Sequence, residues 1–324
     1  MAFNWPVFRT RALTAIVFVA VMLVGLLWNN WSFFLLFTVI HFGCWWEYFK
    51  LMEKRYDVDY NDNLKMGLMV FGFGIMLYVP ILGEQLVHAR TSSFWIRIGG
   101  FKIDINFLVL AIGTLWTLGG TVLQKQISLK SFGMAALGIL YISVSWGLLL
   151  GLRSFFYELS VYSSNGLDPE RLGSENLAKL VLYETKGFWI SLIVIVTMWI
   201  NDTMAYIVGS LIGKTPLSKI SPKKTWEGTV GGILLSSIIL GLLSYFLVQP
   251  IFVKVHSTLF WILFILVVAI AGTFGDLLES KLKRTAGVKD SGSIMPGHGG
   301  FLDRFDSLLL AIPFAWIYVV IFMR

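Results

Sequence analysis

Apolar residues run through this chain in long blocks, with polar residues gathered between them. Nine blocks reach or approach the roughly 20 residues that cross a bilayer core. They cover about 12–28, 31–49, 66–83, 103–123, 132–152, 187–212, 229–250, 256–275 and 306–323. A helix that is apolar all round belongs in lipid or in a large core. The pattern predicts an all-α, polytopic integral membrane protein with about nine transmembrane helices. The first block follows Arg9 and Arg11, as in a signal peptide. No small-x-small cleavage site follows, however, and the block is long enough to span, so it is expected to stay as a helix. Block 132–152 holds Gly133, Gly138, Gly147 and Gly151, which let helix backbones approach closely in lipid. Neither an internal repeat nor a low-complexity tract is evident. The expected organisation is one integrated membrane domain, with N-terminal membrane helices over 1–128 and helices carrying the functional polar loops over 129–324.

Composition agrees. The 324 residues are 56% hydrophobic and 14% charged, with a mean hydropathy of +0.75. Soluble domains carry about 25% charged residues, which excludes a soluble protein with a large core. The single cysteine, Cys44, has no intrachain partner and is expected as a buried thiol. His41 is expected as a hydrogen-bonded core residue, and Glu47 as a helix-end residue facing Lys50 or the cytosol. Orientation follows from Lys and Arg in the loops. With a cytoplasmic N-terminus, 17 of the 26 basic residues face the cytoplasm. The polar segments 202–228 and 276–305 then share that side.

The first polar segment grows out of an apolar helix. Asp202, Ala205, Tyr206 and Gly209 share one helical face. An intramembrane carboxylate is a functional candidate by default, although a helix-end aspartate paired with lysine would look the same. "SPKKTWEG" follows. Pro222 stops helix continuation, and Lys223 and Lys224 place two cations beside the bilayer. These lysines read either as an anchor on anionic lipid or as a phosphate site. Trp226 reads as an interfacial anchor, and Glu227 as a partner for a lysine.

The second segment has more specific chemistry. In "GDLLESKLKR", Asp276, Glu279, Ser280 and Lys283 form one stripe on a helix leaving the membrane. Asp303 and Asp306 share a face where the last helix begins. Carboxylates without a cysteine or histidine cluster suit a hard cation such as Mg²⁺. Lys283, Arg284, Lys289 and Arg304 stand among them, as a metal-bound polyphosphate would require, although salt-bridge pairing alone would also explain them. "PGHGG" lets backbone N–H groups approach an anion and precedes a helix N-terminus, itself an anion site. His298 is placed to donate to a phosphate or relay a proton. The residues point to phosphoryl or nucleotidyl transfer involving a lipid at a membrane surface.

"SKLKRTAGVKDSGSIMPGHGGFLDRFD", residues 280–306, resembles the signature of CDP-diacylglycerol synthases, also called phosphatidate cytidylyltransferases. Ser280, Lys283, Arg284, Lys289, Asp290, Pro296, His298, Gly299, Gly300, Asp303, Arg304 and Asp306 stand in that order and spacing. "NDTMAYIVG" and "SPKKTWEG" resemble the same family, so the likeness covers about the last 130 residues. The resemblance implies that CTP and phosphatidate give CDP-diacylglycerol and pyrophosphate with Mg²⁺, a second metal ion being open. It implies a metal centre of Asp276, Asp303 and Asp306, with Ser280, Lys283 and Arg284 in the catalytic cluster. Asp202, Ser221, Lys223, Lys224, Lys289, His298 and Arg304 would bind substrate or phosphate. The implied partners are CTP, phosphatidate and membrane lipids, not nucleic acid. A homodimer is compatible with the family, and the expected location is the bacterial inner (plasma) membrane with the site facing the cytoplasm. Two other readings compete on physical grounds. One is a CTP-using lipid kinase or polyprenyl-phosphate transferase. The other is a transporter or lipid-binding scaffold lined by His41, Glu47 and Asp202.

Overall fold

The computed structural model describes residues 5–56, 58–88, 95–98, 101–124, 128–153, 174–252, 256–293 and 299–323. Every predicted apolar block falls on a helix. In chain order these are α1 (Trp5–Leu27), α2 (Asn30–Tyr56), α3 (Asp62–His88), α4 (Ile105–Val122), α5 (Leu129–Arg153), α6 (Ser174–Ile212), α7 (Trp226–Leu247), α8 (Thr258–Thr285) and α9 (Leu302–Phe322). The one departure from an all-α fold among the described residues is a short antiparallel pair. Strands β1 (Trp95–Ile98) and β2 (Phe101–Asp104) pair with Ile96 opposite Ile103.

Seven of these helices are long and apolar enough to cross a membrane, the architecture of an integral membrane protein. The two others fall short for identifiable reasons. The described apolar part of α1 covers only Leu13–Leu27. Helix α2 carries His41, Glu47, Lys50, Glu53, Lys54 and Arg55. Outward-facing side chains such as Leu234, Leu242, Phe246 and Leu247 on α7 are exposed, as suits a surface solvated by lipid.

Several helices outrun their apolar blocks. Helix α6 starts at Ser174, and α8 continues to Thr285 through the polar stripe. Strong helix formers such as Leu, Lys and Glu carry the backbone on past the bilayer. Termination is also local. Asp104 caps α4 through the N–H groups of Asn106 and Phe107, and Ser128 caps α5 through Ser131. Helix α5 widens into a π-turn over Ile139–Val144.

The chain divides into two compact units. One comprises Met1–Met76, Trp95–Trp146 and Leu278–Asp306. Its core is aromatic: Phe37 lies 5.0 Å from Trp146, and Trp146 meets Phe305 edge-on at 5.7 Å. His41 is fully buried there, its Nε2 3.0 Å from Ser143 Oγ, and Cys44 is a buried thiol, both as expected. The other unit comprises Leu77–Phe94, Gly147–Leu277 and Ser307–Arg324. In it α6 packs along α7, where a Cβ on Gly232 would lie 2.7 Å from the Ala205 backbone. Trp261 and His256 both donate to Gln249 Oε1 at 3.0 Å, tying the start of α8 to the turn after α7.

Candidate active site

Two polar clusters hold the residues singled out from the sequence, one in each unit. In the second unit a cavity of about 410 Å³ opens beside α6. Its lining includes Asp202 and Tyr206 from α6, Lys223 and Lys224 from the following loop, and Thr273 and Asp276 from α8. The loop is held from both ends. Leu217 N–H donates to Lys224 O at 2.7 Å, and Trp226 N–H to Thr215 O at 2.9 Å. Lys224 N–H donates to Ser221 O at 3.1 Å, closing the turn that projects the two lysines. Thr225 caps α7 by accepting from Gly228 N–H at 3.2 Å. Glu227 does not pair with a lysine side chain as expected. Its carboxylate accepts from the backbone N–H groups of Lys214 and Thr215 at 3.1 Å, which fixes the loop to the first turn of α7. Trp226 is exposed, in keeping with an interfacial anchor.

Inside the cavity Lys224 Nζ pairs with Asp276. Asn201 Nδ2 reaches Thr273 Oγ1 at 3.5 Å, a weak link between α6 and α8. Asp202 and Lys223 are exposed. The cavity thus presents two lysines and two aspartates, with Tyr206 largely exposed on the α6 face. Such a wall can hold a phosphate through its cations and set a planar group against the tyrosine.

The second cluster is in the first unit, where α8 ends and α9 begins. Lys283 pairs with Glu279 one turn back, and its Nζ donates to Asp303 Oδ1 at 2.6 Å. Glu279 is fully buried and Lys283 nearly so. Asp303 Oδ2 accepts from Gly300 N–H at 2.7 Å and Ser291 N–H at 2.9 Å. Gly299 has a φ of +82°, which L side chains rarely adopt, and this lets the chain turn onto Asp303. Asp306 is buried. Ser280 is half-buried on α8, and Lys289 and Arg304 are exposed. Exposed Arg284 donates to Val288 O at 3.3 Å. His298 and Pro296 lie outside the described residues.

Two expectations are corrected here. Glu47 is not a helix-end residue facing Lys50 or the cytosol. It is 1% exposed and accepts from Ser291 Oγ–H at 2.7 Å and from the N–H groups of Phe301 and Leu302 at 2.9 Å. The N-terminus of α9 is correspondingly not an open anion site. Glu47 takes the N–H groups of Leu302, the first residue of α9, and of Phe301 before it, and Asp303 takes that of Gly300. Glu47 had one local signal, a carboxylate inside an apolar block. Tyr206 was marked by its place on the helical face of Asp202, whereas Thr273 and Ser291 gave no comparable signal.

The donor set also bears on a metal. Among the described residues no group of three or more His, Cys, Asp or Glu side chains is arranged to hold an ion. Asp276 and Asp303 are each engaged by a lysine. As they stand, these residues do not fit a cation held by three carboxylates.

A model of the cytidylyltransferase family matches residues 9–322. A phosphatidate cytidylyltransferase of Staphylococcus saprophyticus is 45% identical over 146 residues, covering 44% of this chain and 54% of that protein. That of Bacillus subtilis is 42% identical over 128 residues, 39% of this chain and 46% of the relative. A chloroplastic enzyme of Arabidopsis thaliana, phosphatidate cytidylyltransferase 4, is 45% identical over 119 residues, 37% of this chain and 29% of the relative. These matches span about half or less of each relative's length. The family model spans nearly the whole chain, and the chain belongs to the cytidylyltransferase family.

Proposed function

From membership of that family we propose that the protein transfers a cytidylyl group from CTP to phosphatidate, giving CDP-diacylglycerol and pyrophosphate. The observation that carries this reading is the cavity wall that sets Lys223 and Lys224 beside Asp276 at the end of apolar helices. One substrate of such a reaction is soluble and the other is anchored by acyl chains, so a polar cavity on lipid-solvated helices suits both.

The nucleophile in this reaction is a phosphate oxygen of phosphatidate, already anionic. It attacks the α-phosphorus of CTP, a new P–O bond forms, and pyrophosphate leaves with the bonding electrons. No strong general base is needed. The chief obstacle is repulsion between two polyanions, which grows as the dielectric falls. Lys223 and Lys224 would neutralise phosphate in the cavity, with Tyr206 and Asp202 on the nucleotide side. Lys283, with Arg284, Lys289 and Arg304, would serve the same purpose in the signature cluster, where Ser280 also stands. In this reading Lys224 turns from Asp276 to phosphate when substrate arrives. Preorganised charge of this kind often contributes more to rate enhancement than any other single effect.

Mg²⁺ at Asp276, Asp303 and Asp306 is a proposal that rests on the signature. The orientation with the N-terminus and the polar loops in the cytoplasm is likewise proposed. It is supported by the 17 basic residues that it places on that side. With bacterial relatives it points to the inner membrane. A homodimer is retained as a proposal from the family.

The test uses purified protein in detergent with phosphatidate, Mg²⁺ and each of four labelled nucleoside triphosphates. Lipid-extractable label and pyrophosphate release are followed together. CTP-dependent formation of both, abolished by EDTA and restored by Mg²⁺, is the expected result. With the label carried in the base, a phosphorylated but unlabelled lipid and release of labelled CDP in place of pyrophosphate would establish a kinase instead. No labelled lipid from any nucleotide would overturn the proposal.

A further inference from the structure

Glu47 belongs to α2, 254 residues before Phe301 in sequence. Both of its oxygens nonetheless engage the signature loop. Its Oε1 accepts from Phe301 N–H, and its Oε2 accepts from both Leu302 N–H and Ser291 Oγ–H. The first backbone N–H groups of a helix have no partner within it. Here a side chain from a distant helix supplies what an N-cap residue supplies locally.

The surrounding packing is built for the same contact. A Cβ on Gly300 would stand 2.2 Å from either Glu47 oxygen, and one on Gly292 would stand 2.1 Å from Oε1. One turn back on α2, a Cβ on Gly43 would meet the Phe301 ring at 2.3 Å. Gly43 and Glu47 therefore form one face of α2, closed by Ser291, Gly292, Gly300, Phe301 and Leu302. The same contact bears on Asp303, because Ser291 and Gly300 also give their N–H groups to Asp303 Oδ2.

We propose that Glu47 is a positioning residue for the reaction, setting Asp303 and its partner Lys283 by capping α9 and holding Ser291, Phe301 and Leu302. It touches neither substrate and acts through the loop. The proposal rests on the function given above only for its effect on turnover.

The test compares wild type with Glu47→Gln and Ser291→Ala, all as full-length protein in detergent. An amide keeps the shape but turns an NH₂ donor toward groups that are themselves donors. In Glu47→Gln, kcat should fall about 10- to 100-fold, the range typical of side chains that orient a functional group. KM for CTP and for phosphatidate should stay within about twofold, since binding is not removed. Ser291→Ala should cause a smaller loss, and the double variant should be no worse than Glu47→Gln alone, because both act through one contact. Hydrogen–deuterium exchange reads the contact without activity: peptides covering 299–305 should exchange faster in Glu47→Gln, and those of α7 should not. Unchanged exchange, or kcat within about twofold of wild type, would overturn the proposal. Wild type that makes no CDP-lipid would defeat the functional reading, while the exchange result would still decide the role of Glu47. If Glu47→Gln does not fold, Ser291→Ala carries the same two measurements.

Discussion

Lys283 sits between two carboxylates, and removing it alone should be costly. Its side chain is 12% exposed, that of Glu279 0% and that of Asp303 9%. Asp303 keeps the N–H groups of Ser291 and Gly300 when the lysine is gone. Glu279 has no such reserve, since neither of its oxygens has another hydrogen-bond partner among the described residues. Lys283→Met therefore strands a buried charge, and breaking a buried pair from one side costs about 3–5 kcal/mol. For 324 residues, an unfolding entropy of about 2.1 cal/mol/K per residue makes 1 kcal/mol worth roughly 1.5 °C. The expected loss in thermal midpoint is then about 4–8 °C, read by intrinsic fluorescence in detergent. Adding Glu279→Gln removes the stranded charge and should recover about half of the loss, or roughly 2 kcal/mol, because a neutral amide is far cheaper to bury. A midpoint for Lys283→Met within about 1.5 °C of wild type would refute the reasoning. So would a double variant less stable than the single one.

Asp276→Asn should abolish CDP-lipid formation while the protein still inserts and keeps its thermal midpoint, because the residue lines an open cavity; near-normal turnover would remove it from the site. Lys224→Ala should act mainly on binding, raising KM for CTP or phosphatidate by about tenfold, the worth of one charge-assisted hydrogen bond of roughly 1.5 kcal/mol; unchanged KM for both substrates would count against the phosphate role. Gly232→Ala should destabilise by about 1–3 kcal/mol through overpacking against Ala205; a midpoint equal to wild type would show that α6 and α7 can separate without cost.

Block length and polarity made every helix legible, because a lipid-spanning segment must satisfy its own backbone hydrogen bonds. Helix ends were less legible. Residues 276–285 read as a polar stripe, and the same residues prolong α8 to Thr285, since nothing in "DLLESKLKR" breaks a helix. The β1–β2 pair lay inside a region read by hydropathy. Its signal was local: Gly99 and Gly100 between alternating "WIRI" and "FKID". Within the site, sequence brought forward Asp276, Lys223, Lys224, Lys283 and Asp303, and each falls in one of the two clusters. It could not show which charges pair. Lys224 and Asp276 are 52 residues apart, and Glu47 and Leu302 are 255 apart. Such partners are set by tertiary packing and leave no periodic trace.

The engaged helix terminus also bears on how the proposed reaction would bind phosphate. The segment before α9 has glycines and a helix start, features that elsewhere cradle anions. In this protein, carboxylates already answer those N–H groups: Glu47 and Asp303 at α9, with Glu227 holding the loop before α7 in a similar way. A phosphate brought to the α9 terminus would meet two negative side chains before it met a free donor. In the proposed reaction, binding would then fall to lysine side chains. Lys224, which lines the open cavity and already rests on Asp276, can exchange one anion for another without ever becoming unpaired. The acidic residues would hold the lysines in place before substrate arrives, and the helix termini would supply rigidity in place of charge.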